Sequence, residues 1–203
     1  MRRVFLLSPA STHGKRAALL FNPRASFDLV QRIRQPEGAP IGEVFSFLSG
    51  LYFRGKLTYA RAFADGDAIR VITSNRGLVS PDSRITLTDL RGLSRGSIDP
   101  GKPNYRRPFL RDARSLLGGE VECVLLGSIA TGKYADLLLE VFGPRLLFPE
   151  GFVGRGDMSR GGLMLRAARS GEELTYRPVL GAVRHGTKPP RLKPMPGILR
   201  GTL

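Results

Sequence analysis

The sequence predicts an α/β domain of three layers, with helices on both faces of a central, mostly parallel sheet of four to five strands. Four short runs, 3–7, 68–73, 121–126 and 145–148, are almost wholly apolar, as strands covered on both faces are. Helix-length segments with one apolar stripe separate these runs, so strand and helix alternate along the chain. Size agrees: 203 residues with 41% hydrophobic content bury a core without disulfides or metals.

The elements follow in order. After the first strand, residues 41–51 and 55–63 read as a helical pair, with Val44, Phe45, Leu48 and Leu51 on the apolar side of the first. Residues 105–117 carry Phe109, Leu110, Ala113, Leu116 and Leu117 on one stripe, and 131–142 repeat the pattern with Tyr134, Leu137, Leu138, Val141 and Phe142. Gly143-Pro144 stops that helix. A last helix spans 159–169, and a strand at 174–179 closes the domain, which is expected to occupy 1–180. Residues 181–203 differ. They hold Pro189, Pro190, Pro194 and Pro196, five cations and no acid, and read as an extended basic arm, either lying along phosphates or simply solvated.

Charge gives the partner class. The chain has a net charge of +15, and arginine outnumbers lysine 26 to 6. A guanidinium forks onto phosphate oxygens, so nucleic acid is the expected partner. Other classes are set aside. Cys123, the single cysteine, sits in an apolar run as a small core residue, and with two histidines the chain lacks the soft ligands of a zinc site. No stretch reaches the roughly 18 apolar residues of a membrane span, and the first apolar run ends at Ser8-Pro9, too soon for a signal peptide. The expectation is a cytoplasmic monomer with no metal, no cofactor and no membrane contact.

In an open parallel sheet, ligands bind beyond the carboxyl ends of the strands. Loop 8–16 offers Ser8, Ser11, His13, Lys15 and Arg16; loop 74–82 offers Asn75 and Arg76. Loop 127–134 presents Ser128, free amides at a helix start and Lys133, with Thr131 placed to cap the helix. Its spacing is not that of a Walker loop, which argues against ATP hydrolysis. Loop 148–162 is the most unusual. Four glycines surround Arg155, Asp157 and Arg160, with Ser159 as the expected N-cap. Two flanking guanidiniums would keep Asp157 ionised as a base or electrostatic stabiliser, unless it caps the helix instead. His13 is read as a general base or a plain loop residue. Glu43, Asp82 and Glu150 are further carboxylates near element ends, better suited to caps and turns. With no tryptophan, base stacking falls to Phe21, Phe45, Tyr52 or Phe53.

Residues Val124-Leu125-Leu126-Gly127-Ser128-Ile129-Ala130, a helix, then Leu146-Leu147-Phe148-Pro149 and a Gly/Arg/Ser loop resemble the C-terminal half of the uracil-DNA-glycosylase-like superfamily. The stretch Ile72-Thr73-Ser74-Asn75-Arg76-Gly77-Leu78-Val79-Ser80-Pro81-Asp82 is similar to bacterial families of related fold, the peroxide-stress-protein-like and archaeosine-synthase-associated domains. The resemblance implies a uracil-DNA-glycosylase-like fold in which Ser128 stands where the superfamily has a base-reading Asn. It also implies that residues 154–162 replace its His-Pro-Ser-Pro-type minor-groove loop. The first-strand loop lacks the superfamily's Asp or Asn, and the minor-groove His is missing.

The expectation from charge, loops and resemblance together is a monofunctional DNA glycosylase acting on double- or single-stranded DNA. It flips out a modified or damaged base, such as a bulky sugar-decorated pyrimidine of phage DNA, and leaves an abasic site. Asp157, His13 and Glu43 are its candidate catalytic residues. Ser8, Ser11, Ser128, Asn75, Tyr52 and Phe21 are the candidate base contacts. Lys15, Arg16, Arg76, Lys133, Arg155, Ser159, Arg160, Arg191 and Lys193 are assigned to the DNA backbone. The alternatives are a non-catalytic DNA- or RNA-binding protein on the same fold, and a pocket for a free nucleotide or nucleoside.

Overall fold

The structure, a computed structural model, describes residues 2–192. The chain begins with β1 (Arg2–Leu7), α1 (Lys15–Phe21), α2 (Asp28–Arg34), β2 (Ala39–Pro40), α3 (Ile41–Ser49) and α4 (Leu51–Phe63). It continues through β3 (Ile69–Ile72), β4 (Leu78–Val79), β5 (Arg84–Ile85), α5 (Leu87–Arg95) and α6 (Pro103–Ser115). The last elements are β6 (Val121–Leu126), α7 (Gly132–Phe142), β7 (Leu146–Pro149), α8 (Asp157–Ser170) and β8 (Tyr176–Pro178).

The main sheet has six strands in the order β4-β3-β1-β6-β7-β8, and β2 pairs with β5 separately. β3, β1, β6 and β7 are mutually parallel, while the edge strands β4 and β8 run antiparallel. The parallel core therefore has the four expected strands, and two antiparallel edges make the sheet larger than expected. β8 lies within the expected 174–179 run. β4 escapes a reading based on apolar runs because it has only two residues, Leu78 and Val79.

Alternation along β1 divides the core. Phe5 and Leu7 pack with α1, α2, α3, α4, α5 and α8 on one face. Val4 and Leu6 pack with α6 and α7 on the other. A strand buried on both faces needs no polar side, hence the unbroken apolar run of its buried part, Val4 to Leu7. Cys123 is buried in the second cluster, where burial pushes its thiol up, as befits an inert core residue.

Two boundaries differ from expectation for one reason. Gly50 adopts φ +58°, breaking the chain sharply between α3 and α4. Leu51, Tyr52 and Phe53 thereby open α4 rather than ending α3 or forming a linker. A close crossing locks α4 to α8, since a Cβ on Gly55 would meet the Gly161 carbonyl oxygen at 2.7 Å.

The first half of the expected arm, 181–192, runs back over the domain without regular structure. Arg184 pairs with Asp136 of α7 at 2.7 Å, and Arg155 donates to the Pro190 carbonyl at 3.3 Å. Lys193 and the rest of the arm lie outside the described residues.

Candidate active site at the strand ends

The strand order reverses at β1. From β1 the chain builds toward β3 on one side, and β6 then continues to β7 on the other. In open α/β sheets the loops leaving such a switch point diverge and flank the crevice where ligands bind. Ser8 follows β1 directly and Gly127 follows β6 directly. They touch: a Cβ on Gly127 would stand 2.9 Å from Ser8 Cβ and 3.0 Å from its Oγ.

The floor of this crevice is a lysine that the sequence reading passed over. Lys56 of α4 is fully buried, and its Nζ donates to the Ser8 carbonyl at 2.6 Å and to Ser8 Oγ at 2.9 Å. The ammonium stands 4.0 Å from the centre of the Tyr52 ring and 5.1 Å from that of Phe53. Burial lowers its pKa to about 7; Asp157 opposes that shift and Arg160 adds to it. Both partners sit in the first turn of α8. Asp157 Oδ1 lies 3.5 Å from Arg160 Nη1, and Arg160 also donates to the Phe152 carbonyl at 3.1 Å.

Tyr52, one turn before Lys56, completes the floor. Its hydroxyl is buried beside the Arg160 guanidinium, outside ideal hydrogen-bond geometry to it. Burial pushes the phenol up to about 12, so it remains a proton donor. Tyr134 of α7 is also raised by burial, with Asp157 adding to the shift. α4, α7 and α8 thus bring a lysine, two phenols, a carboxylate and a guanidinium together around the end of β1.

Several expected roles meet different surroundings. Ser159 is not the N-cap of α8; Gly156 holds that position, and Ser159 Oγ accepts from Arg155 instead. Asp157 makes no side-chain cap, and of its two expected guanidiniums only Arg160 pairs with it. Thr131 occupies the N-cap position of α7 without a capping bond from its side chain. Tyr52 gives one ring face to Lys56, which takes that face from a stacked base. Phe21 is half-buried against the core at the end of α1. Ser128 Oγ accepts from the Ala130 amide at 3.3 Å, a local turn contact at the crevice rim.

The structure spreads the other candidates more widely. Loop 74–77 is the tip of the β3–β4 hairpin, pinned to α5 by Ser74 Oγ on the Leu93 carbonyl and by Asn75 Nδ2 on the Gly92 carbonyl. Arg76 on that tip pairs with Asp89. Glu43 pairs with Arg32 and lines a groove with Arg54, Arg61 and Asp82, away from the strand ends. His13 and Ser11 are exposed in the first loop and contact each other through the His13 amide. Lys15, Arg16, Lys133 and Arg191 are exposed, and Arg16 donates to the Phe47 carbonyl.

Among the described residues no group of three or more His, Cys, Asp or Glu is placed to hold a metal ion. None of their helices is long and apolar enough to cross a membrane. What the crevice offers is acid–base chemistry: an amine poised near neutrality, a hydroxyl bonded to it, and a carboxylate–guanidinium pair nearby. No protein-family model matches the chain, and neither a curated protein nor a solved structure matches it.

Proposed function

We propose that the protein is a DNA N-glycosylase, a base-excising hydrolase that works at the β1–β6 crevice. One observation carries the reading. In a chain of net charge +15, Asp157 and Arg160 share the strand-end site with the buried Lys56 and Tyr52. Excision needs a negative group beside the sugar, because positive charge develops on the ring as the C1′–N bond breaks. Asp157 fills this role. The exposed Lys15, Arg16 and Lys133 at the neighbouring loops hold phosphates, and Ser128 with the amides of its loop faces the base.

The test is release of base from duplexes containing uracil, damaged bases or phage-type modified pyrimidines, read by alkaline strand scission. Wild-type protein gives abasic sites with at least one class, and Asp157→Asn loses roughly 100-fold or more in single-turnover rate. Absence of abasic product from every class overturns the reading.

One observation favours non-catalytic nucleic-acid binding on the same fold. Ser8, Lys56 and Tyr52 are nearly closed off from solvent, so an extruded nucleotide does not reach them without movement of the surrounding structure. That alternative requires salt-sensitive binding with no product.

A further inference from the structure

We propose that Ser8 is a nucleophile and Lys56 the base that activates it, a serine–lysine pair built into the floor of the crevice. The bonding of Ser8 is the first support. Its Oγ lies 2.9 Å from Lys56 Nζ and 3.4 Å from the Leu126 carbonyl oxygen. When Lys56 is an ammonium, Nζ donates to Oγ and the hydroxyl hydrogen turns to Leu126. When Lys56 is a neutral amine, its lone pair accepts that hydrogen instead. The two arrangements differ by one proton, as a nucleophile and its base must.

Burial supplies the second support. A lysine fully removed from solvent is held near its charge transition, so the neutral amine is well populated at physiological pH. The titratable and charged groups facing it are Tyr52 on its own helix and Asp157 and Arg160 on α8, with Tyr134 of α7 beyond them, acting on Tyr52. The third support is the close packing of the pair. Without a side chain, the Gly127 backbone lies against Ser8, where a Cβ would stand 3.0 Å from Oγ, and the Tyr52 ring covers the Lys56 ammonium at 4.0 Å.

The pair acts on an electrophilic centre, and on the base-excision reading that centre is the sugar C1′. Ser8 Oγ bonds to C1′ as the C1′–N bond breaks, the base leaves with the electron pair, and the Ser8 proton passes to Lys56. The Lys56 proton then goes to the departed base. Water next attacks C1′ as the C1′–Oγ bond breaks with its electron pair going to Ser8 Oγ; one water hydrogen returns to that oxygen, leaving an abasic sugar and the original pair. This glycosyl step rests on the proposed function; the activation of Ser8 does not.

The test uses the full chain and a small serine-directed reagent, diisopropyl fluorophosphate. There the Oγ–P bond forms, the P–F bond breaks, fluoride leaves and the proton goes to Lys56. Intact mass and peptide mapping are expected to find one adduct, at Ser8, whose rate rises with pH through neutrality. Lys56→Met and Lys56→Arg lower the rate by at least about 100-fold, whereas Ser115→Ala on α6 leaves it unchanged. A lysine that only supports the fold would not produce this pH profile, and the profile is read in wild-type protein, so it survives a failure of either variant to fold. Absence of an adduct at Ser8, a rate flat between pH 6 and 8, or equal labelling in folded Lys56→Met overturns the pair. Labelling at Ser8 without base release from any DNA leaves the pair standing and removes the excision reading. Base release that survives Ser8→Ala keeps the excision reading and overturns the glycosyl step assigned to Ser8.

Discussion

Gly55 and Gly161 meet back to back where α4 crosses α8, and neither position has room for a Cβ. On Gly161 the added carbon would lie 2.7 Å from the Leu51 carbonyl oxygen; on Gly55 it would meet Gly161 itself. The crossing fixes the distance between the helix carrying Lys56 and Tyr52 and the helix carrying Asp157 and Arg160.

Alanine at either glycine must push backbone away, because the obstructing atoms are main-chain atoms. The expected cost is about 1–3 kcal/mol for each single variant. Because both act on one contact, the double variant is expected to fall short of the sum. Urea unfolding of the three variants against wild type checks both statements.

Stability should rise with pH above neutrality. Burial holds Lys56 at about 7 in the folded chain, below its unfolded value of about 10.4. Between these two values the unfolded chain binds the extra proton, so unfolding grows harder as pH rises, by at most about 1.4 kcal/mol per unit. Below pH 7 both states are protonated and this dependence vanishes. Comparing urea midpoints of wild type and Lys56→Met from pH 6 to 9 isolates the effect: the upward slope belongs to wild type alone.

Tyr52→Phe separates folding from binding. The hydroxyl it removes lies beside Arg160 outside ideal hydrogen-bond geometry, so stability should change by less than about 1 kcal/mol, in either direction. If the hydroxyl serves a ligand, single-turnover base release falls while the thermal midpoint stays put. A large loss of stability would contradict the geometry.

Salt dependence reports which cations touch phosphates. No ion pair joins Lys15 or Lys133 to another described residue, whereas Arg76 pairs with Asp89 and Arg160 with Asp157. Lys133→Ala and Lys15→Ala are expected each to flatten the log–log salt slope of duplex binding by about one unit. Arg76→Ala should leave the slope closer to wild type. Fluorescence anisotropy with a labelled 20-mer, titrated in salt, measures all three.

The sheet was readable from sequence because a strand covered on both faces is apolar over nearly its whole length, as Val121–Leu126 is except at Glu122. Lys56 was not, because a lysine on a helix normally marks solvent. Its neighbours held the contrary sign. Tyr52, Phe53, Tyr59 and Ala60 stand three or four residues from Lys56 on one face, so the amine interrupts an apolar stripe. Starting the helix at Gly55 hides that stripe, and the error traces to the positive φ at Gly50, which begins α4 four residues earlier. Asp157 and Arg160 were legible as an unusual glycine-rich cluster. The stitching of Asn75 and Ser74 to α5 was not, since hydrogen bonds to backbone carbonyls leave no pattern in side-chain chemistry.

β1 is the first strand of the chain and lies inside the sheet, and α8, which completes the surroundings of Lys56, begins at Asp157. A ribosome delivers these parts in sequence, so Ser8 and Lys56 emerge long before the helix that packs over α4. Until then, the amine is wet and keeps the high pKa of any exposed lysine. Docking of α8 is the event that dries it. The fall of the Lys56 pKa is thus a chemical mark of α8 docked on α4.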